Sequence, residues 1–290
     1  TYGSIYSACI INLTNYKQDE DMLDKCPYAI KVQTGFNFID KEWNFKDLDI
    51  PENSFFTEVK YQVAASSHKI SPRIYNAWEC DIESIHSKFK LQEHSFLVMQ
   101  RYYKTLQDSE IKKEDEDNIL ETIMTLHNEV NIFHGDLHSR NIMQSKDKRW
   151  AIIDFGKSKN MIIEKNHINY LKQLIFDYYL LYQTLSNKKA MFLKVRILQE
   201  VIDILKSKKE EYDEKINILQ RTGNLTLNDM KFEFTPIIAK INKLRSKPNL
   251  NEKKVFLIGY NKESDRFIVK YDETKISLLR EKIFNISSIE

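Results

Sequence analysis

The chain has 290 residues and a mass of 34.6 kDa, room for one large domain or two small ones. Hydrophobic residues make up 42% and charged residues 30%, a globular composition that excludes disorder as a description of the whole. Lys plus Arg number 44 against 42 for Asp plus Glu; this balance gives nucleic-acid binding no support. The longest apolar runs, such as Tyr178–Tyr182, are too short to span a bilayer, and Thr1-Tyr2-Gly3-Ser4 does not read as a signal peptide. Cys9, Cys26 and Cys80 are odd in number and lack metal-ligand spacing, which predicts reduced thiols in a cytosolic protein.

Taken in chain order, Ser4–Leu13 and Tyr28–Val32 read as strands, with the polar stretch Asn15–Asp24 as a solvated loop between them. Pro51 can open a helix, because its missing N–H costs nothing in the first turn. That helix would carry Phe55, Val59 and Val63 on one apolar face. Ser95–Met99 is a buried strand candidate. Between Glu114 and Val130 the spacing of Ile119, Leu120, Ile123, Leu126 and Val130 predicts an amphipathic helix. Ile142–Met143 and Trp150–Ile153 read as short strands around the charged turn Ser145–Lys148. Helical patterns follow from about Asn169 to Leu244, broken near Pro248. Lys254–Tyr260 and Arg266–Tyr271 flank a hairpin turn, and a last helix is expected over Glu273–Phe284. Strands lead, helices follow and a small mixed tail closes the chain, which predicts an α+β fold in two lobes.

The chemistry concentrates in His134-Gly135-Asp136-Leu137-His138-Ser139-Arg140-Asn141 and then Ile152-Ile153-Asp154-Phe155-Gly156. An Asp, an Asn five residues later and an Asp-Phe-Gly thirteen after that closely resemble the catalytic loop and metal-binding motif of the protein-kinase-like superfamily. Phosphoryl transfer needs a carboxylate near the attacking hydroxyl and oxygen ligands that hold Mg²⁺ against phosphates. The resemblance implies Asp136 for the first role and Asn141 and Asp154 for the second. Tyr28-Ala29-Ile30-Lys31 resembles the strand that bears the ATP-binding lysine, with Glu58 as the helix partner of Lys31 and Glu52 as second choice. The 27-residue separation of Lys31 and Glu58 is long, and Lys41–Asp49 would fill the excess. Thr1–Tyr6 resembles the back half of a glycine-rich loop, with Gly3 as its third glycine and Ile5 over the adenine; the first two glycines would precede residue 1. Phe96–Tyr102 resembles the strand entering the hinge. The resemblance implies Met99 as gatekeeper, Gln100 and Tyr102 reading the adenine edge, and Ala29 and Met143 sandwiching the ring. It further implies a two-lobed fold: a β-rich N-lobe over 1–100, a helical C-lobe over 101–245 and a C-terminal β-hairpin-and-helix appendage over 246–290. ATP would bind in the cleft, with Mg²⁺ as cofactor.

Several positions depart from the usual pattern. Gly135 stands where an Arg normally pairs with an activation-loop phosphate, so no such switch is expected. His138 and Arg140 are cations able to stabilise the transferring phosphoryl group. Asp177 resembles the helix aspartate that ties down the catalytic-loop backbone. The short interval from Asp154 to Asp177 is similar to that of RIO-type kinases and the small kinase of the KEOPS complex, whereas His-Gly-Asp-Leu-His is similar to aminoglycoside and choline phosphotransferases. Lys157, Lys159, Lys165 and Lys172 against Glu164 predict a cationic floor that favours acidic acceptors. The expectation is an ATP- and Mg-dependent kinase acting on Ser/Thr of proteins, the alternatives being a small-molecule phosphotransferase, a pseudokinase scaffold or an ATPase-like partner in a larger complex. The codon-biased composition and atypical loop resemble kinases of large cytoplasmic DNA viruses, such as African swine fever-like viruses. That implies host cytoplasm and the virion. The resemblance covers roughly residues 1–185. No membrane or nucleic-acid partner is expected, and the appendage could hold a protein partner.

Overall fold

The computed structural model describes residues 3–8, 26–36, 55–82, 92–161, 168–186, 190–272 and 274–288. The expected loop at Asn15–Asp24, the filler Lys41–Asp49, the helix start at Pro51, Glu52, Glu164 and Lys165 lie outside the described residues. The fold is mixed: helices stand beside several sheets, and every described strand pair is antiparallel, as an α+β class predicts. The chain forms two compact units. One comprises Thr1–Thr105, Glu121–His134 and Asn141–Asn160; the other comprises Leu106–Leu120, Gly135–Arg140 and Met161–Glu290. Among the described residues no helix is long and apolar enough to cross a membrane.

In the first unit, β1 (Gly3–Ala8), β2 (Tyr28–Phe36), β3 (Ile74–Ile82) and β4 (Gln92–Gln100) form a sheet in the order β1-β2-β4-β3. Side chains alternate across a strand, so Ala29 and Lys31 share a face, and the register sets Met99 and Leu97 directly beside them. On that face Ala29, Leu97 and Met99 pack against Phe55 of α1 (Phe55–Ser67). The buried face of α1 is Phe55, Glu58, Tyr61, Gln62 and Ala65, whereas Val63 is 49% exposed. Of the expected Phe55-Val59-Val63 stripe, Phe55 is buried and Val59 packs against the same cluster, and only Val63 departs. A stripe at strict four-residue steps drifts around the helix, and mixing steps of three and four keeps the polar Glu58 and Gln62 inward. Short strands β5 (Lys104–Thr105), β7 (Ile142–Gln144) and β8 (Trp150–Ile152) form a further sheet, and β6 (Ile132–Phe133) pairs with β9 (Lys159–Asn160). Helix α2 (Lys113–Asn128) opens on Glu114, Asp115 and Glu116, negative charges that suit the positive end of the helix dipole.

In the second unit, α3 (Ile168–Thr184) and α4 (Met191–Lys206) are largely buried, and α5 (Asp213–Thr222) ends on Gly223. Gly223 has φ 76°, and a Cβ there would lie 2.1 Å from the Phe234 carbonyl oxygen, so this cap requires glycine. The expected helical run to Leu244 stops here. β10 (Asn224–Leu227) and β11 (Met230–Glu233) form a hairpin. β12 (Ile237–Ile241), β13 (Lys254–Asn261), β14 (Arg266–Tyr271), β15 (Thr274–Leu278) and β16 (Ile283–Ser288) form a five-stranded sheet in the order β15-β14-β13-β12-β16. The hairpin over 254–271 lies where expected. The last helix does not: Glu273–Phe284 contains β15, a single 3-10 turn at Arg280–Lys282 and the start of β16. Its Glu, Lys, Leu and Arg content favours helix, but pairing with β14 and β12 supplies a ladder and a buried face for Leu278 and Ile283, and packing outweighs propensity.

Cys26 is 2% exposed and disulfide-bonded, which corrects the expectation of three reduced thiols.

Candidate phosphoryl-transfer site

The first unit gathers residues from distant parts of the chain. Lys31 comes from the middle of β2, Glu58 from the first turn of α1, and Asp154 from the residue before the 3-10 turn Phe155–Lys157. The Lys31 ammonium lies 2.5 Å from Glu58 Oε1 and 2.7 Å from Asp154 Oδ1. Lys31 is 8% and Glu58 4% exposed, while the Asp154 side chain is 45% exposed. Burial alone would lower the lysine pKa; the carboxylates of Glu58 and then Asp154 outweigh it, and the net shift is upward. Burial would likewise raise the pKa of Asp154, but Lys31, with His134 and the Gly156 N–H behind it, holds that carboxyl below its usual range. Lys31 is a cation and Asp154 an anion throughout the physiological range. Glu52, the second choice of partner, lies outside the described residues, and Glu58 holds the contact.

Asp154 has φ 63° and ψ 70°, the left-handed region that a non-glycine residue rarely occupies. The turn is anchored next to it. Phe155 is 1% exposed and packs edge-on against His134 at 5.1 Å; His134 Nε2 lies 3.0 Å from the Ile153 carbonyl oxygen; Ser158 Oγ donates to the His134 carbonyl at 3.2 Å. Asn141 is 6% exposed, and its carbonyl accepts from the Ile153 N–H at 2.9 Å. One exposed carboxylate and one amide are hard oxygen donors. They fit Mg²⁺, which takes one or two protein ligands and completes its shell with water and substrate phosphates. Among the described residues no group of three or more His, Cys, Asp and Glu could hold a metal by itself.

The nucleotide positions implied by resemblance also fall in this unit. Ile5, 56% exposed, stands opposite Lys31 in the register, and Gly3 stands opposite Gln33. Ala29 and Met99 are buried opposite each other, and Met143 on β7 is half-buried. The Gln100 N–H donates to the Arg73 carbonyl at 2.8 Å and the Tyr103 N–H to the Gln144 carbonyl at 2.9 Å. Among the described residues no backbone group pairs with the N–H or C=O of Tyr102.

Asp136, His138 and Arg140 belong to the second unit. His138 Nε2 is 4.0 Å from Asp136 Oδ2, and the two residues close a tight turn through His138 N–H to the Asp136 carbonyl at 2.9 Å. Arg140 is exposed. The loop is tied to α3 three times. Gly135 N–H donates to Asp177 Oδ1 at 3.0 Å, Ser139 N–H to Thr184 Oγ1 at 2.9 Å, and Ser139 Oγ to the Thr184 carbonyl at 3.0 Å. Sequence reasoning found Asp177 and missed Thr184, whose place seven residues on, two helical turns along the same face, is the signal that could have found it. It also missed Gln33, which donates to Glu58 Oε2 at 2.7 Å; its position two residues after Lys31 in a strand puts it on the same face.

The cationic-floor expectation is changed at Lys172 alone. Lys172 is paired with Asp229 at 2.8 Å, whereas Lys159 lies over the neutral Phe133 ring at 5.6 Å and keeps its net charge; Lys165 and Glu164 lie outside the described residues.

No protein-family model matches the chain, and no curated protein matches it.

Proposed function

We propose that this chain is a phosphotransferase of the protein-kinase-like type, two-lobed, using ATP as donor and Mg²⁺ as cofactor, and transferring the γ-phosphate to a Ser/Thr hydroxyl of a protein. The observation that carries this reading is the Lys31 ammonium held between Glu58 and Asp154, residues 27 and 123 positions away in the chain. A buried lysine fixed by two carboxylates is a pre-oriented point charge of the kind that aligns nucleotide phosphates. Mg²⁺, when bound, would neutralise charge on the phosphates, and Asp154 and Asn141 would hold it. Asp136 would orient the acceptor hydroxyl and take its proton, with Arg140 offering positive charge and His138 a ring N–H to the transferring group. Phosphate bonding by Lys31 would replace its contact with the exposed Asp154 and leave Glu58 as its anchor.

A second reading, a small-molecule phosphotransferase, is favoured by the short interval between Gly156 and Asp177. One experiment separates them: incubation with γ-labelled ATP and Mg²⁺, with casein-type proteins and a metabolite panel as competing acceptors. Label on protein supports the first reading and label on a metabolite the second. Absence of transfer to either, under conditions where ATP binds, makes the chain a nucleotide-binding scaffold and overturns both.

A further inference from the structure

The four-stranded sheet of the first unit turns one face to α1, through Ala29, Leu97 and Met99. Residues opposite one another in an antiparallel pair share a side, and neighbours along a strand alternate. The register therefore builds the other face in rows across the sheet. One row runs Tyr6, Ile30, Val98, Asn76. The next runs Ser4, Val32, Phe96, Trp78. Ala8, Tyr28, His94 and Gln100 extend the same face, and none of these twelve positions is Asp, Glu, Lys or Arg. With 30% charged residues in the chain, about four would be expected there. Ile30, Val32, Phe96 and Val98 on the two central strands are half-buried. On the flanking strands Tyr6 is 57% and Trp78 36% exposed, and Trp78 lies flat on Phe96 at 5.1 Å and 9°.

A broad uncharged patch of this kind marks an interaction surface, and its shape and charge select the occupant. A charged partner would find nothing here to pair with. A single helix, about 10 Å across, would cover about half of the sheet's ~19 Å width and leave Tyr6 or Trp78 in water. A second sheet covers the whole. Two sheets of like twist stack face to face with their strands about 30° apart, and a second copy of this chain has that twist by identity. A twofold contact lays a surface on itself, so charges on it would meet their own kind; an uncharged face escapes that cost. Strands of nine residues give a face of roughly 19 by 30 Å, so two copies would bury on the order of 1,100 Å² together, above the ~1,000 Å² a specific interface needs. We propose that this face pairs with the same face of a second copy in a twofold homodimer. Ile30, Val32, Phe96 and Val98 form the centre of the contact, Tyr6 and Trp78 close its sides, and Ser4 and Asn76 stand at the rim. The proposal is independent of the phosphotransfer reading, because Lys31 lies on the opposite face of the sheet.

The test is sedimentation equilibrium of the full chain between about 1 and 100 μM. The mass is expected to rise with concentration from 34.6 kDa to twice that value. Raising the salt should leave the dimer intact or tighten it, because no charge pair holds it. Tyr6→Glu with Trp78→Glu should be monomeric throughout, and Trp78→Gln alone should weaken the dimer about tenfold or more. Val63→Glu, an equally exposed apolar position on α1, should dimerise like wild type. Superimposable circular dichroism separates loss of the dimer from loss of the fold, and Trp78→Gln carries the test if the double variant does not fold. The proposal is overturned by a monomer at every concentration, by a dimer that salt dissolves, or by a dimer that Trp78→Gln leaves unchanged. It is equally overturned if Val63→Glu weakens the dimer as much as Trp78→Gln does.

Discussion

At the scale of single residues, the Lys31 cluster makes opposite demands on its members. Lys31 and Glu58 are almost fully buried, so removing either leaves an uncompensated charge inside; Lys31→Met should cost about 3–5 kcal/mol of stability as well as catalysis. Asp154 is 45% exposed and can be neutralised with less effect on folding. If the proposed reaction holds, Asp154→Asn should reduce turnover by about 100-fold or more, because Mg²⁺ would lose a chelating charge, while urea midpoints stay close to wild type. Steady-state kinetics beside denaturant titration checks both halves. The pH response has a definite sign. The lysine's pKa is raised, so its contribution is complete below about pH 10.4 and lost only as pH climbs through the higher folded value. The aspartate's pKa is lowered, so its contribution is present above about pH 3.9 and lost as pH falls through the lower folded value. The difference in melting temperature between wild type and Asp154→Asn should be flat across neutral pH and shrink only in acid, below about pH 4.

Among the elements, α2, α4 and the 3-10 turn before β16 meet at Glu116. This residue is 0% exposed, takes both Arg280 guanidinium nitrogens at 3.0 and 2.8 Å, and has Arg196 Nη1 at 3.5 Å. Burial raises its pKa in spite of Arg280 and Arg196. Glu116→Ala should destabilise the protein by about 3–5 kcal/mol, read by urea unfolding, since two arginines lose their shared partner. Gly259 belongs to the same packing problem: a Cβ there would lie 2.8 Å from Gln199 Oε1 and push aside the amide that accepts from the Tyr260 N–H at 3.0 Å. Such tertiary partners explain what the sequence could and could not tell. Strands β2 and β4, helix α2 and the hairpin of β13 and β14 announce themselves by local period and turn residues. Lys31 and Asp154 are legible through the resemblance of Tyr28–Lys31 and of Asp154-Phe155-Gly156 to known motifs. Strands β15 and β16 were missed because their residues favour helix locally and become strands by pairing with β14 and β12. Gln33 and Thr184 were missed because a hydrogen bond to a functional residue leaves no signature beyond sharing its face.

For the molecule as a whole, two solution properties follow. Cys26 is disulfide-bonded, so denatured, unreduced protein should titrate with one reactive thiol, and with three after reduction; three before reduction would refute the bond. With Gly135 in the place of the usual arginine and a short interval after Gly156, activity should need no activating phosphorylation. Phosphatase-treated protein should match untreated protein in a single-turnover assay, and a large loss on treatment would refute that reading.

The span of 123 residues between Lys31 and Asp154 also sets an order of events on the ribosome. Chains lengthen at about 5–20 residues per second, so roughly 6–25 s separate the emergence of the lysine from that of its second carboxylate. Glu58, 27 residues away, emerges far sooner. A nascent chain can close the lysine–glutamate pair while the aspartate has yet to be translated. The last charge to arrive is the one most open to water.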